Sequence, residues 1–319
     1  MSDDVERLIR QLSSHDNTLA RDAADALRAE GWLTDGTLRR ASLTGANLLN
    51  ANLQDANLSY ANLSGAELSS ANAAGADFSG AYFIFAQLND CELASANLNH
   101  ANLSGAHLVS ARMPDAELIG ADLSDADLSD AILTNARLNH VDLRNAVLNR
   151  ANLRNATLSR AEISDARLLW ADLREAIMTE ANLSQANASE ADFRGASLIE
   201  ATLIMANLHA CDFREANLIA AYFRHANLSK ANLQSVDASE GNFVGTDLHG
   251  ADLRAATFTH AKLHGAVLEN ANLEGAKVEF ALFDDQTVLP DGIHWEPHSD
   301  LARFTDAHHI DFWSPPPLD

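Results

Sequence analysis

Four histidines and two aspartates near the C-terminus carry the side chains best suited to metal chemistry. They are His294, His298, Asp306, His308, His309 and Asp311. Imidazole nitrogens and carboxylate oxygens ligate zinc, but Pro297 breaks any helix that would present His294 and His298 together. The spacing also matches no recognised zinc motif. We therefore predict a structural or solvated tail and no metal site.

Other kinds of catalytic chemistry lack a recognisable motif. The sequence has no phosphate-cradling glycine loop, no nucleophile elbow and no paired cysteine ligands. Ser, His and Asp are abundant, but their positions follow the outward slots of a repeat. Cys91 and Cys211 occupy inward slots far apart in that repeat, which predicts core thiols and no disulfide. We predict that the protein is not an enzyme and uses no cofactor.

A five-residue repeat must position all of these side chains. Fifty consecutive units of the form A-x-L-x-x run from residue 36 to residue 285 without insertion or deletion. With the slots of a unit numbered one to five, Ala dominates the first slot and Leu or Phe the third. Conservative departures include Cys91, Val141, Cys211, Met113, Ile163, Met178 and Val278. A period of five fits neither a helix nor a long two-residue alternation.

The first and third slots lie two residues apart, so their side chains point to the same side of an extended step. A turn must follow in every unit to restore the phase, and stacked coils then bury the Ala and Leu side chains. Three central positions shrink to Ala, and each is followed one unit later by Phe, which predicts that the larger ring fills the missing volume. These pairs are Ala73 and Phe78, Ala188 and Phe193, and Ala238 and Phe243.

Charged residues indicate how many units complete one coil. Five fourth-slot arginines share a twenty-residue register, and aspartates fill the second slot of four of the same units. They are Arg154, Arg174, Arg194, Arg214 and Arg254, with Asp172, Asp192, Asp212 and Asp252. Four units per coil would stack them into adjacent Asp and Arg columns, which we interpret as a solvated ladder of weak ion pairs.

The A-N-L and A-D-L units over residues 36–285 resemble the pentapeptide-repeat family. The resemblance implies an all-β solenoid, a right-handed quadrilateral β-helix with four units per coil. The repeat length then gives about 12 coils, stacked at about 4.8 Å into a rod. The predicted domains are an N-terminal helical cap at 1–35, the β-helix at 36–285, and a short C-terminal cap with an extended tail at 286–319.

Both ends carry signals of capping elements. Apolar spacing predicts helices within residues 3–30, with Asp16 or Asn17 as a helix cap and Gly31 as a stop. Solenoids need caps because an open coil edge pairs with other chains. Trp32, Trp295 and the "SPPPLD" tail lie outside the repeat. In some family members the C-terminal end dimerises two rods, so a homodimer is one alternative here.

The formal net charge of −23 opposes direct binding to nucleic acid, whose phosphates are repelled by carboxylates. No segment has the length of apolar sequence that crosses a bilayer, and the N-terminus lacks a signal-peptide core. We therefore expect a cytoplasmic protein that contacts no membrane, and its acidity suits a basic partner surface.

The irregular outward residues collect on one predicted face and form a candidate protein-interaction surface. An apolar group comprises Tyr82, Ile84 and Phe85, and an acidic group comprises Asp122, Asp125, Asp142, Glu162 and Asp165. A second apolar group comprises Ile204, Met205 and Tyr222, with Ile199 and Ile219 on the adjacent face. Clustered apolar residues mark interfaces more often than scattered ones do, although incidental exposure is the alternative.

Two functions fit these features. The first is a non-enzymatic scaffold that presents this mixed face to an unidentified protein partner. The second is a DNA mimic, because some members of the family resemble duplex DNA in width and charge and bind DNA gyrase. Against the second, seventeen basic residues interrupt the thirty-one acidic residues of the repeat, and the repeat lacks the projecting loops of gyrase-protecting members.

Overall fold

The computed structural model describes residues 3–316, and the "SPPPLD" tail therefore lies partly outside the described residues. The chain divides into two compact units, Met1–Glu162 and Ile163–Asp319.

The first unit begins with two helices, α1 at Asp3–Leu12 and α2 at Asn17–Ala29. The Asp16 carboxylate caps α2 by accepting hydrogen bonds from two backbone N–H groups, at 2.9 and 3.3 Å. The helix ends before Gly31, whose φ of +76° suits glycine. Leu12 and Leu27 are fully buried, so the apolar faces that the sequence spacing predicted are the packed faces.

Carbonyl groups from this helical segment bond the edge of the first coil. The Asn47 N–H donates to the Ser14 carbonyl at 2.8 Å, and the Asn57 N–H donates to the Leu33 carbonyl at 2.8 Å. Elsewhere in the repeat, N–H groups in this slot donate to the carbonyl of a first-slot residue one coil earlier. Ser14 and Leu33 therefore supply the acceptors that a preceding coil would otherwise supply.

The rest of the first unit consists of stacked coils. Parallel β-bridges join second-slot residues twenty positions apart, from Ser42 with Asn62 to Asp142 with Glu162. This spacing is the one that the Asp and Arg register predicts. Within residues 3–316 the pairing consists of isolated bridges, with no longer β-strand. A turn closes each unit, as where the Ala46 N–H donates to the Leu43 carbonyl at 3.0 Å.

From residue 40 to residue 280, each repeat unit turns through a left-handed residue in the fifth slot. Among residues 3–316, thirty-eight non-glycine residues have positive φ, between 54° and 63°, and all of them occupy that slot. None of them is Val, Ile or Thr, because a branched Cβ clashes with the backbone at positive φ. The fifth slot therefore accepts large side chains such as Phe85 provided that the Cβ is unbranched.

The second unit has the same coil geometry, from the bridge of Arg167 with Asn187 to that of Lys262 with Leu282. The last parallel bridge joins Val267 and Val288, which are twenty-one residues apart. One extra residue is thus accommodated, and Thr287 takes the inward first slot with its hydroxyl donating to the Leu263 carbonyl at 2.9 Å. Bridging therefore continues past residue 285, the end that we assigned to the repeat.

The chain then turns back and covers part of the last coils. An antiparallel bridge joins Val288 and His294, and a short helix, α3, follows at Ala302–Thr305. Phe304 of α3 is buried, and its ring centroid lies 5.8 Å from that of Trp313. The Thr305 carbonyl accepts a hydrogen bond of 2.7 Å from a backbone N–H of the repeat.

The core consists of first-slot and third-slot side chains. Phe78 packs edge-on against Phe83 at 5.0 Å in the first unit, beside the small Ala73. In the second unit the rings of Phe193 and Phe213 stack at 4.6 Å. Burial of each ring contributes about 1.5–3 kcal/mol relative to leaving it exposed.

Candidate interaction surface

Most of the predicted acidic and aromatic residues of the first unit lie on one ladder of β-bridges. This ladder runs through Asn62, Tyr82, Asn102, Asp122, Asp142 and Glu162 in that order. Asp125 and Phe85 occupy fifth slots of the same stack of repeat units. The twenty-residue register therefore places these residues on one face of the first unit.

The aromatic end of this face is well exposed. Tyr82 is 49% exposed and Phe85 is 68% exposed, whereas Ile84 between them is half-buried. The Phe85 ring lies over Gly105, where an added Cβ would meet its Cε1 atom at 2.4 Å. Glycine one coil further along therefore gives the ring a flat backbone surface on which to rest.

The acidic part of the face is only partly neutralised. The Arg144 Nε donates to Asp142 at 2.9 Å, and this hydrogen bond holds the pKa of the Asp142 carboxyl below its usual value. The Asp122 carboxylate accepts the Ser124 hydroxyl at 2.6 Å. The Asp125 side chain is exposed, and its carboxylate has no hydrogen-bond or ion-pair partner among residues 3–316. Arg144 thus pairs with Asp142, while the Asp125 carboxylate stays free of a cation among residues 3–316.

The remaining predicted residues belong to the second unit. Tyr222 is 45% exposed and pairs with Thr202 on one ladder, and Met205 is 58% exposed in the fifth slot of the Thr202 repeat unit. Ile204 is half-buried, as are two fourth-slot isoleucines of the neighbouring stack of repeat units, Ile199 and Ile219. Asp165 is exposed at another fifth slot. A single face that joins these residues to the first unit stays a prediction.

Several exposed aromatic residues escaped the sequence analysis. Trp170 is 51% exposed and donates its indole N–H to Glu190 at 3.0 Å, and Phe280 is 73% exposed and stacks on His260 at 5.0 Å. Tyr60 is 49% exposed beneath guanidinium groups. All three aromatic residues occupy fifth slots, so the recurrence of large rings in that slot was the available signal.

The Asp and Arg columns of the second unit form the expected ladder. Arg194 contacts Asp192 of its own repeat unit at 2.6 Å and Asp212 of the next coil at 3.6 Å. Arg174 and Arg214 make equivalent contacts within their own units. These charges neutralise one another, so the ladder offers little net charge to a partner. Arg154 departs from the pattern, since its own unit carries an asparagine in the second slot.

The described residues contain no group of three or more His, Cys, Asp or Glu side chains arranged to hold a metal ion. Near the C-terminus His309 instead pairs with Asp300 at 3.0 Å. Burial raises the pKa of the Cys91 and Cys211 thiols to about 12, which suppresses the nucleophilic thiolate. Across residues 3–316, no helix is both long and apolar enough to span a bilayer.

Comparisons with known proteins agree with this architecture. The family model described as pentapeptide repeats matches in eight copies, and a pentapeptide repeat region matches residues 206–283. The first model covers residues 37–72, 61–99, 96–135, 111–150, 142–179 and 176–214. No curated protein matches the chain.

Solved structures of other repeat proteins are similar to the chain. HetL, a pentapeptide repeat protein involved in heterocyst differentiation regulation in the cyanobacterium Nostoc, is 30% identical over 74% of this chain and 92% of its own, with a TM-score of 0.32. QnrB1, a plasmid-mediated fluoroquinolone resistance protein, is 21% identical over 61% of this chain and 89% of its own, with a TM-score of 0.28.

The family models span most of the chain, and the family implies a right-handed β-helix. The protein belongs to the pentapeptide-repeat family.

Proposed function

We propose that the protein is a non-enzymatic scaffold that binds a protein partner through the Tyr82 face of the first unit. We use this name for the surface formed by Tyr82, Ile84, Phe85, Asp122, Asp125, Asp142 and Glu162. The observation that carries the proposal is the exposure of two large aromatic residues in one repeat unit, Tyr82 and Phe85. Buried aromatic anchors dominate the binding energy of protein interfaces.

The surrounding surface supports recognition of a macromolecule more than of a small molecule. The core slots around the face are filled by Leu and Phe side chains, which leaves the face without a deep cavity. Its neighbouring carboxylates favour a partner of opposite charge and speed the encounter. A flat surface that combines rings and charges is typical of protein interfaces.

A crosslinking experiment tests this proposal with a matched control. A photoreactive phenylalanine analogue replaces Tyr82 in one variant and Tyr60 in a second variant. Both tyrosines are 49% exposed and both belong to the first compact unit, so Tyr60 is the matched control. We expect discrete crosslinked products in host lysate from position 82 and fewer from position 60. Equal yields at the two positions would refute a specific Tyr82 face.

The second candidate function is binding to DNA gyrase as a DNA mimic. The charge of the chain favours it, and residues 41–111 contain five carboxylates and no Lys or Arg. The paired Asp and Arg columns of the second unit weigh against it, because locally balanced charge reproduces a phosphate backbone poorly. Unchanged supercoiling by gyrase, at excess protein and with or without a quinolone, would exclude this candidate.

The N-terminal helices act as a cap in this proposal. Arg28 donates to the carbonyls of Asn52 and Gln54, and Asn17 donates to the carbonyl of Leu49. Together with the Ser14 and Leu33 carbonyls, these contacts occupy backbone groups at the edge of the first coil. A covered edge does not pair with another chain, so the faces remain available for a specific partner.

A further inference from the structure

The Tyr82 face shows which chemistry its partner should present, and the inference rests on the function proposed above. We propose that it binds an arginine-containing basic segment of a partner protein. Guanidinium groups would stack on Tyr82 and Phe85 while neighbouring cationic groups contact Asp122 and Asp125.

The aromatic part of the face is open on the side away from the backbone. In the stack of fifth slots, Phe85 lies between Gly65 and Gly105, so neither adjacent coil provides a side chain to cover the ring. On its own ladder Tyr82 lies between two asparagines, and its hydroxyl has no hydrogen-bond partner among residues 3–316. Both rings therefore present a free surface to a ligand.

Tyr60 is an exposed tyrosine of the same compact unit that does have guanidinium groups close to its ring. The guanidinium carbons of Arg39 and Arg40 lie 6.0 and 5.9 Å from its ring centroid. A cation over an aromatic face at this distance is attracted by the negative charge of the ring face. The Tyr60 ring thus has its cation–π partners within the chain.

Tyr82 and Phe85 have no such cation in the described part of the chain. Arg40 is the last basic residue before Arg112, so the coils around both rings contain no Lys or Arg. Tyr60 and Tyr82 are equally exposed, but only Tyr60 has guanidinium groups near its ring among residues 3–316. A partner would have to supply it.

Carboxylates lie at a suitable distance to hold a second cation. Asp122 and Asp125 follow Tyr82 and Phe85 by two coils along the same face, which is about 10 Å at the spacing of bonded strands. An extended peptide covers that distance with about three residues, so alternating arginines reach both groups. The Asp125 carboxylate has no hydrogen-bond or ion-pair partner in residues 3–316, and Arg144 forms its ion pair with Asp142.

Charge argues against a second copy of this chain as the occupant. Each copy carries a net charge of −23, so two acidic surfaces would repel at low ionic strength. A basic segment instead gains from both the rings and the carboxylates.

Fluorescence anisotropy with labelled peptides tests the proposal on the full chain. The probes are Gly-Arg-Gly-Arg-Gly-Arg and the same peptide with lysine or with citrulline, an uncharged analogue of arginine. We expect the arginine peptide to bind most tightly and the citrulline peptide about tenfold or more weakly, since it loses both cation–π and charge contacts. Equal binding of the arginine and citrulline peptides would overturn the proposal.

Substitutions to residue types that other repeat units carry in the same slots can locate the binding site without disturbing the coil. Tyr82→Ser with Phe85→Ser should weaken arginine-peptide binding about tenfold, and so should Asp122→Asn with Asp125→Asn. Tyr60→Ser is the matched control and should change binding less than twofold. An equal loss in the control, or binding that survives the double serine variant, would overturn the assignment.

The outcomes also separate this inference from the function on which it rests. Crosslinking at position 82 without binding of the arginine peptide would leave the scaffold function standing and overturn the arginine assignment. A dimer in sedimentation that Tyr82→Ser with Phe85→Ser dissociates would identify a second copy as the occupant, again overturning it. Specific peptide binding together with position-82 crosslinks to a basic segment would support both.

Discussion

Glycine at position 105 should contribute to stability by supporting the Phe85 ring, and a comparison with Gly65 isolates that contribution. Both glycines have a φ of +62°, so alanine at either position carries the same left-handed strain. At position 65 a new Cβ meets nothing within 4 Å, whereas at position 105 it lies 2.4 Å from the Phe85 Cε1 atom. The two substitutions therefore differ in the ring contact.

The expected costs follow from these two effects. Left-handed backbone costs an L-residue about 1–2 kcal/mol, and the natural alanines at 210, 220 and 255 show that the slot tolerates a methyl group. Displacing the ring from its rotamer adds about 0.5–1.5 kcal/mol. We expect Gly65→Ala to lower the free energy of unfolding by about 1 kcal/mol and Gly105→Ala by about 2 kcal/mol.

A double-mutant cycle measured by urea denaturation tests this reasoning. In a Phe85→Ser background the ring is gone, so Gly105→Ala should cost no more than Gly65→Ala costs in the wild type. The interaction energy between positions 85 and 105 should then be about 0.5–1.5 kcal/mol. Equal costs of the two alanines in the wild-type chain, or an excess cost at 105 that persists without the ring, would refute the ring-support account.

Three further predictions concern charge, thiols and the core. Because a hydrogen bond from Arg144 lowers the pKa of Asp142, its contribution is present above the unfolded pKa and is lost as pH falls through the lower folded pKa. Arg144→Gln should therefore lose less stability than the wild type as the pH falls below about 4 in thermal melts; equal losses would contradict the pairing. Cys91 and Cys211, with pKa values raised to about 12 by burial, should not react with a thiol reagent at pH 8 until the chain is unfolded; a reactive native thiol would show that a coil opens locally. Phe213→Ala should cost about 3–5 kcal/mol in denaturant titrations, because the ring is fully buried and stacked; a loss below 1 kcal/mol would mean that the coil collapses onto the cavity.

Much of the fold follows from periodicity alone. The Asp and Arg register predicts twenty residues per coil because residues in adjacent columns must satisfy one another's charge, and Arg194 indeed reaches both Asp192 and Asp212. The same register places Tyr82 and Asp122 on one ladder. Where the residue spacing is constant, position in the sequence determines position on the surface.

Local departures were harder to foresee. The extra residue before Thr287 shifts the repeat register by one. The repeat pattern does not reveal this shift, because the inward first slot holds Thr287 in place of the usual Ala. The half-burial of Ile84 also depends on its neighbours and not on its slot alone. Ring support by a glycine one coil away is visible in the sequence only when residues twenty apart are compared, as for Phe85 and Gly105.

The two carbonyls that the helical segment offers to the first coil have a kinetic consequence. A coil of twenty residues must close a loop before its backbone bonds the adjacent coil, and closure costs entropy. The first coil would normally bear that cost with no preceding coil to bond. Ser14 and Leu33 already present acceptors to Asn47 and Asn57. Folding of the first unit should therefore nucleate at the helices, and each folded coil should then template the next one toward the C-terminus.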